Sequence, residues 1–63
     1  MPIIQIQILE GRTDENIKNL IANVTETTVN TLDVNPEQVR VIVSTVPRKY
    51  WGVGGTTKDT HDQ

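Results

Sequence analysis

Between Pro2 and Val46 the chain switches from a two-residue apolar period to a helical one and back again, and few architectures accommodate that order. Ile4, Ile6 and Ile8 alternate with Ile3, Gln5, Gln7 and Leu9, the pattern of a strand whose two faces meet different surroundings. Pro2 stands at its head, where a strand tolerates proline. Glu10 and Gly11 break the run, and Thr13 followed by Asp14 and Glu15 reads as a helix N-cap with acidic residues in the first turn. Ile17, Leu20, Ile21, Val24, Thr28 and Leu32 then recur at helical spacing, with Lys18, Asn19, Asn23, Glu26 and Asn30 on the other side. The many threonines lower intrinsic helix propensity, so packing must hold this segment. Asp33 to Asn35 ends it, and Asn35-Pro36-Glu37-Gln38 reads as one capped turn with proline at its first position. A second alternation follows, Val39, Val41, Val43 and Thr45 against Arg40, Ile42, Ser44 and Val46, and Pro47 stops it.

A helix between two strands implies parallel strands joined by a right-handed crossover. The expected fold class is therefore α/β (α+β): a single βαβ unit with parallel strands, then a C-terminal loop or short hairpin around Tyr50 to Gly55. One domain covers residues 1–63, with a polar, flexible tail expected from about Thr56.

At 63 residues such a unit buries only roughly 60% of its unfolded surface, which leaves it marginal by itself. Cysteine is absent, so neither disulfides nor thiolate metal sites can supplement the core. One Trp, one Tyr and no Phe leave Ile, Val and Leu to build it. A two-stranded sheet with one helix also leaves strand edges and one face uncovered. Association between copies is the remaining source of stability, and a homo-oligomer is expected.

The formal net charge of −2 and six scattered basic residues form no stripe of the kind that nucleic-acid binders display. The first strand has neither the basic start of a signal peptide nor the length of a membrane span, so no membrane partner and a cytoplasmic address are expected. Gly52-Val53-Gly54-Gly55 lacks the third glycine and the strand-to-helix context of a dinucleotide fingerprint. Asp59, His61 and Asp62 sit in the tail without a second shell to hold a metal, and no metal or cofactor is expected.

Pro2 is the residue that chemistry can use. Within a chain its nitrogen is a non-basic amide, but after removal of Met1 it becomes a secondary amine on a rigid ring. Ordinary α-amino groups titrate near ~8, close enough to neutrality to serve as bases. The mature chain is expected to begin at Pro2. Parallel pairing puts Arg40 at the same end of the sheet as Pro2. Arg12 belongs to the far end, so it could reach Pro2 only on another subunit. It also precedes a helix N-terminus, where a positive charge opposes the macrodipole, and a cation so placed invites a functional explanation.

Pro2 to Arg12 as PIIQIQILEGR, the Thr13-Asp14-Glu15 helix start, Val39-Arg40-Val41 and Trp51-Gly52-Val53-Gly54-Gly55 together resemble the 4-oxalocrotonate tautomerase family over nearly the whole chain. The resemblance implies a hexamer of βαβ subunits, a trimer of dimers, with several chains contributing to each site. It implies a cofactor-independent 1,3-keto-enol tautomerisation of a 2-hydroxymuconate-like enol acid. Pro2 would be the general base, Arg40 the clamp on the carboxylate and carbonyl end, Arg12 the contact to the distal carboxylate, and Trp51 and Leu9 substrate-binding walls. Trp51 stands where well-known members carry phenylalanine, which narrows the pocket. Gln7 replaces a histidine of some members, with little effect on chemistry expected from its outward parity. A hydratase or dehalogenase relative would need a carboxylate to activate water, and Tyr50 to Gly55 contains none. The alternative outside catalysis is an oligomeric binding protein in which Met1 stays attached.

Overall fold

The computed structural model describes residues 1–61, Thr60 and His61 by backbone alone. Asp62, one of the three tail residues weighed as metal ligands, lies outside them, as does the His61 side chain. Strand β1 spans Ile3–Leu9, helix α1 Asp14–Leu32 and strand β2 Arg40–Val46. A short hairpin follows, β3 Gly52–Val53 and β4 Thr56–Thr57, and then a four-residue helix α2, Lys58–His61. Single 3-10 turns at Pro36–Gln38 and Arg48–Tyr50 flank β2.

β1 and β2 pair in parallel from Ile3 opposite Arg40 to Leu9 opposite Val46. Ile4, Ile6 and Ile8 share a face with Val41, Val43 and Thr45, and all but Thr45 are half-buried beneath α1. Residues of opposite parity form the uncovered face, where Ile3 and Ile42 remain 61% and 50% exposed. Val39, at the entrance to β2, is the single buried hydrophobic residue of the described chain, at 8% exposure. A subunit of this design is half a core. The apolar stripe read along α1 holds at Ile17, Leu20, Ile21, Val24 and Thr28, whereas Leu32 is 56% exposed. Among the described residues, no helix is long and apolar enough to cross a membrane.

The ends of α1 follow from local chemistry. The Thr13 hydroxyl accepts the Asn16 N–H at 3.1 Å, satisfying one of the donors a helix start leaves without a partner. At the other end Asp33 adopts a left-handed conformation, φ 57°, and its N–H bonds the Val29 carbonyl at 2.9 Å. Asn35 then donates its N–H to Gln38 Oε1 at 3.0 Å, closing the turn that delivers the chain to β2.

Beyond the second strand the structure contains more regular elements than the sequence pattern suggests. Residues 56–61, read as the start of a polar tail, form β4 and α2. Gly54 and Gly55, at φ 61° and 88°, supply the two positive-φ positions that a two-residue hairpin loop needs. Lys58 N–H then bonds the Trp51 carbonyl at 2.8 Å and seats the hairpin against the Arg48–Tyr50 turn. Two-residue strands are too short to leave a period in the sequence.

Replacing Thr13 by Ala removes the N-cap acceptor. Unfolding in urea at fixed protomer concentration is expected to show a loss of about 0.5–2 kcal/mol.

Candidate active site

The residues singled out as candidates fall at the two ends of the β1–β2 sheet. At the first end Pro2 is half-buried and its carbonyl accepts the Arg40 N–H at 3.1 Å, so the last main-chain bond of the ladder joins these two residues. The Arg40 side chain is exposed, and its Nη1 donates to the Glu37 carbonyl. That carbonyl belongs to the Pro36–Gln38 turn, so the turn that starts β2 also orients its arginine. A guanidinium has five N–H donors, and the Glu37 carbonyl engages one of them.

At the opposite end lies Arg12, separated from Pro2 by the seven residues of β1, on the order of 23 Å at ~3.3 Å per residue. Arg12 is exposed and stands between Gly11 and the Thr13 cap. Gly11 turns the chain at φ 118°, a conformation that a residue with a Cβ rarely adopts. Leu9, Glu10, Gly11, Arg12 and Arg48 line a groove of about 280 Å³. Arg12 also borders a second groove, about 340 Å³, between β1 and α1, with Ile8, Asn16, Ile17 and Leu20 among its walls. Trp51 is half-buried and lines a third space of about 370 Å³ with Gln7, Val46, Tyr50 and Gly52. Its N–H bonds the Arg48 carbonyl at 3.2 Å and its carbonyl accepts from Lys58, so both main-chain groups of this residue are held.

Pro2 and Arg40 thus lie together in one subunit, and Leu9 and Arg12 lie together at the other end. Two residues gain importance from their positions. Gln7, read as outward and chemically idle, shares a groove with Trp51. Arg48, not singled out from the sequence, lies across a groove from Arg12; a cation one residue beyond the Pro47 strand stop was the available signal. Glu10 fixes this corner twice, through its N–H to the Val46 carbonyl at 3.0 Å and through Oε2, which accepts the Arg48 N–H at 3.1 Å.

Pro2 beside Arg40, on a βαβ chain with further arginine at the far end of its sheet, is the arrangement to set against known small isomerases. Residues 2–61 match the family model described as tautomerase enzyme, and the chain belongs to that family. It is 47% identical over 55 residues to a 2-hydroxymuconate tautomerase of Pseudomonas sp. (strain CF600), covering 87% of each chain. The fold is similar to that of a 4-oxalocrotonate tautomerase isozyme from Methylibium petroleiphilum, with TM-score 0.93, 43% identity and coverage of 97% of this chain and 95% of the other. It is also similar to a heterohexamer 4-oxalocrotonate tautomerase from Chloroflexus aurantiacus J-10-fl, with TM-score 0.88, 32% identity and coverage of 94% and 95%.

Gly11→Ala puts a Cβ at φ 118°, where strain rather than crowding sets the cost, since the added atom meets nothing within 4 Å. Denaturant unfolding is expected to show a loss of about 1–3 kcal/mol.

Proposed function

We propose that the chain, as a single tautomerase domain of residues 1–63, is a cytoplasmic, cofactor-independent isomerase acting on 2-hydroxymuconate or a closely related enol diacid. The base is the nitrogen of Pro2, freed by removal of Met1. Met1 is 77% exposed, which suits removal by an aminopeptidase. The free amine takes the proton of the 2-hydroxyl group, and the resulting dienolate is reprotonated at carbon, giving the ketone without net consumption of anything. The observation that carries this function is the Arg40–Pro2 main-chain bond, which brings the backbone of an arginine to the head of β1, at the residue proposed as base.

Each arginine has a separable task. Arg40, with donors beyond the one engaged by Glu37, pairs with the carboxylate and carbonyl end of the substrate and stabilises the dienolate oxygen as charge develops. Arg12 binds the distal carboxylate. Leu9 and Trp51 form apolar walls between the two charged ends. A positioned base typically contributes ~10²- to 10⁴-fold. Lowering an amine pKa from ~8 to ~7 raises its free-base fraction at pH 7 only from about a tenth to a half, so positioning and the arginines carry most of the rate.

Pro2 and Arg12 cannot meet within one subunit, and this supports a site shared between copies. The exposed Ile3 and Ile42 on the uncovered face support the same association, because a chain with one buried hydrophobic residue among its described residues needs a second surface to complete its core. A homohexamer built as a trimer of dimers meets both demands, and the Chloroflexus relative is a heterohexamer.

Pro2→Ala, which leaves a primary amine, is expected to lose most turnover of 2-hydroxymuconate, followed by its ultraviolet absorbance, while sedimentation still reports the assembly. Unchanged turnover, or an intact mass that retains Met1 in protein from its native cell, rejects the proline base. Arg40→Ala is expected to lower kcat by about 10²-fold or more. Arg12→Ala is expected mainly to raise KM, and more for 2-hydroxymuconate than for the monocarboxylate phenylenolpyruvate.

A further inference from the structure

Arg48 is a second cation at the Arg12 end of the sheet, and the proposed function leaves it without a task. It is half-buried, yet its Nη1 is sealed from solvent and has no hydrogen-bond partner. A buried guanidinium N–H without an acceptor is costly, and a turn of the Arg48 side chain that brings Nη1 to the groove lets an arriving anion meet the deficit. The local carboxylate does not meet it in the structure. Glu10 Oε2 accepts the main-chain N–H of Arg48, so Glu10 holds the residue by its backbone and leaves Nη1 unpaired. The space that Arg48 lines is the groove it shares with Leu9, Glu10, Gly11 and Arg12. Two permanent positive charges and one carboxylate border it, leaving a net attraction for an anion.

The geometry points to Arg48 as a further specificity-determining residue, which with Arg12 of the same subunit forms a two-arginine receptor for the distal carboxylate of the substrate. This deepens the tautomerase reading and rests on it. A carboxylate has two oxygens and about four lone-pair sites, so it can accept from two guanidinium groups at once. The Gly11 turn and the Thr13 cap fix the backbone on either side of Arg12, while the Glu10 bond fixes the backbone of Arg48. The chain positions of both arginines are therefore set before substrate arrives. Its consequence is selectivity: an enol with a second carboxylate gains two contacts that a monocarboxylate lacks.

The test compares 2-hydroxymuconate with phenylenolpyruvate as substrates for the native oligomer and for Arg12→Ala, Arg48→Gln, Arg48→Lys and Arg12→Ala/Arg48→Gln variants. Arg48→Gln is expected to lower the dicarboxylate-to-monocarboxylate ratio of kcat/KM by about tenfold, through KM rather than kcat. Arg48→Lys should recover part of that ratio, and the double variant should lose less than the product of the single losses, because both residues grip one group. An unchanged ratio overturns the inference. So does an equal loss on both substrates, or a loss accompanied by dissociation in sedimentation, which would make Arg48 a subunit contact. If the native protein turns over neither enol, the tautomerase reading fails on its own, and calorimetric binding of cis,cis-muconate still decides the receptor. Weaker binding by Arg48→Gln then supports it, and equal binding or none by the native chain overturns it.

Discussion

Everything in this subunit depends on the parallel register of two seven-residue strands. Ile3 opposite Arg40 brings the head of the chain against the only arginine of β2, and Leu9 opposite Val46 brings Glu10 close enough to hold the chain beyond Pro47. Slipping the pairing by one residue would exchange the faces of every side chain on one strand, exposing Ile4, Ile6 and Ile8 and separating Arg40 from Pro2. The connection suits this register. Nineteen helical residues extend about 28 Å at ~1.5 Å each, enough to return the chain along strands of about 23 Å. Parallel pairing requires that return, and the helix that makes it also covers one face of the sheet.

The same pairing divides the chemistry. In the proposed reaction a base and a cation lie at one end and a pair of arginines at the other, with the length of a strand between them. No rearrangement of one subunit can bring them together without breaking the sheet. In that reaction catalysis and association would be a single requirement, and the face that leaves Ile3 and Ile42 in water would serve both. Under the proposed function a chain this small gains from such economy, because association would both finish its core and complete its pocket.

Most of the scaffold was legible from residue pattern because its signals are strong and local. Alternation marked both strands, Thr13 marked the start of α1, and Pro36 marked the turn before β2. The Arg40–Pro2 proximity followed from topology alone, since parallel strands bring their beginnings together. What escaped depends on contacts far apart in sequence. Arg48 looks like a loop cation until Glu10, 38 residues away, is seen to hold its N–H. Gln7 looks idle until the Trp51 segment closes over the same groove. Thr56 to His61 looked unstructured because strands of two residues and a helix of four have no periodicity to detect.

Trp51 is the sole indole of the chain, and its amide hydrogen is bonded to the carbonyl of Arg48. The chain thus has an optical gauge built in. With one tyrosine and no second tryptophan, its long-wavelength emission arises from a single ring whose backbone is hydrogen-bonded to Arg48, a residue lining the groove beside Arg12. Any shift of the Arg48 carbonyl therefore bears directly on the backbone that carries the fluorophore, which makes the native indole the natural reporter for that corner.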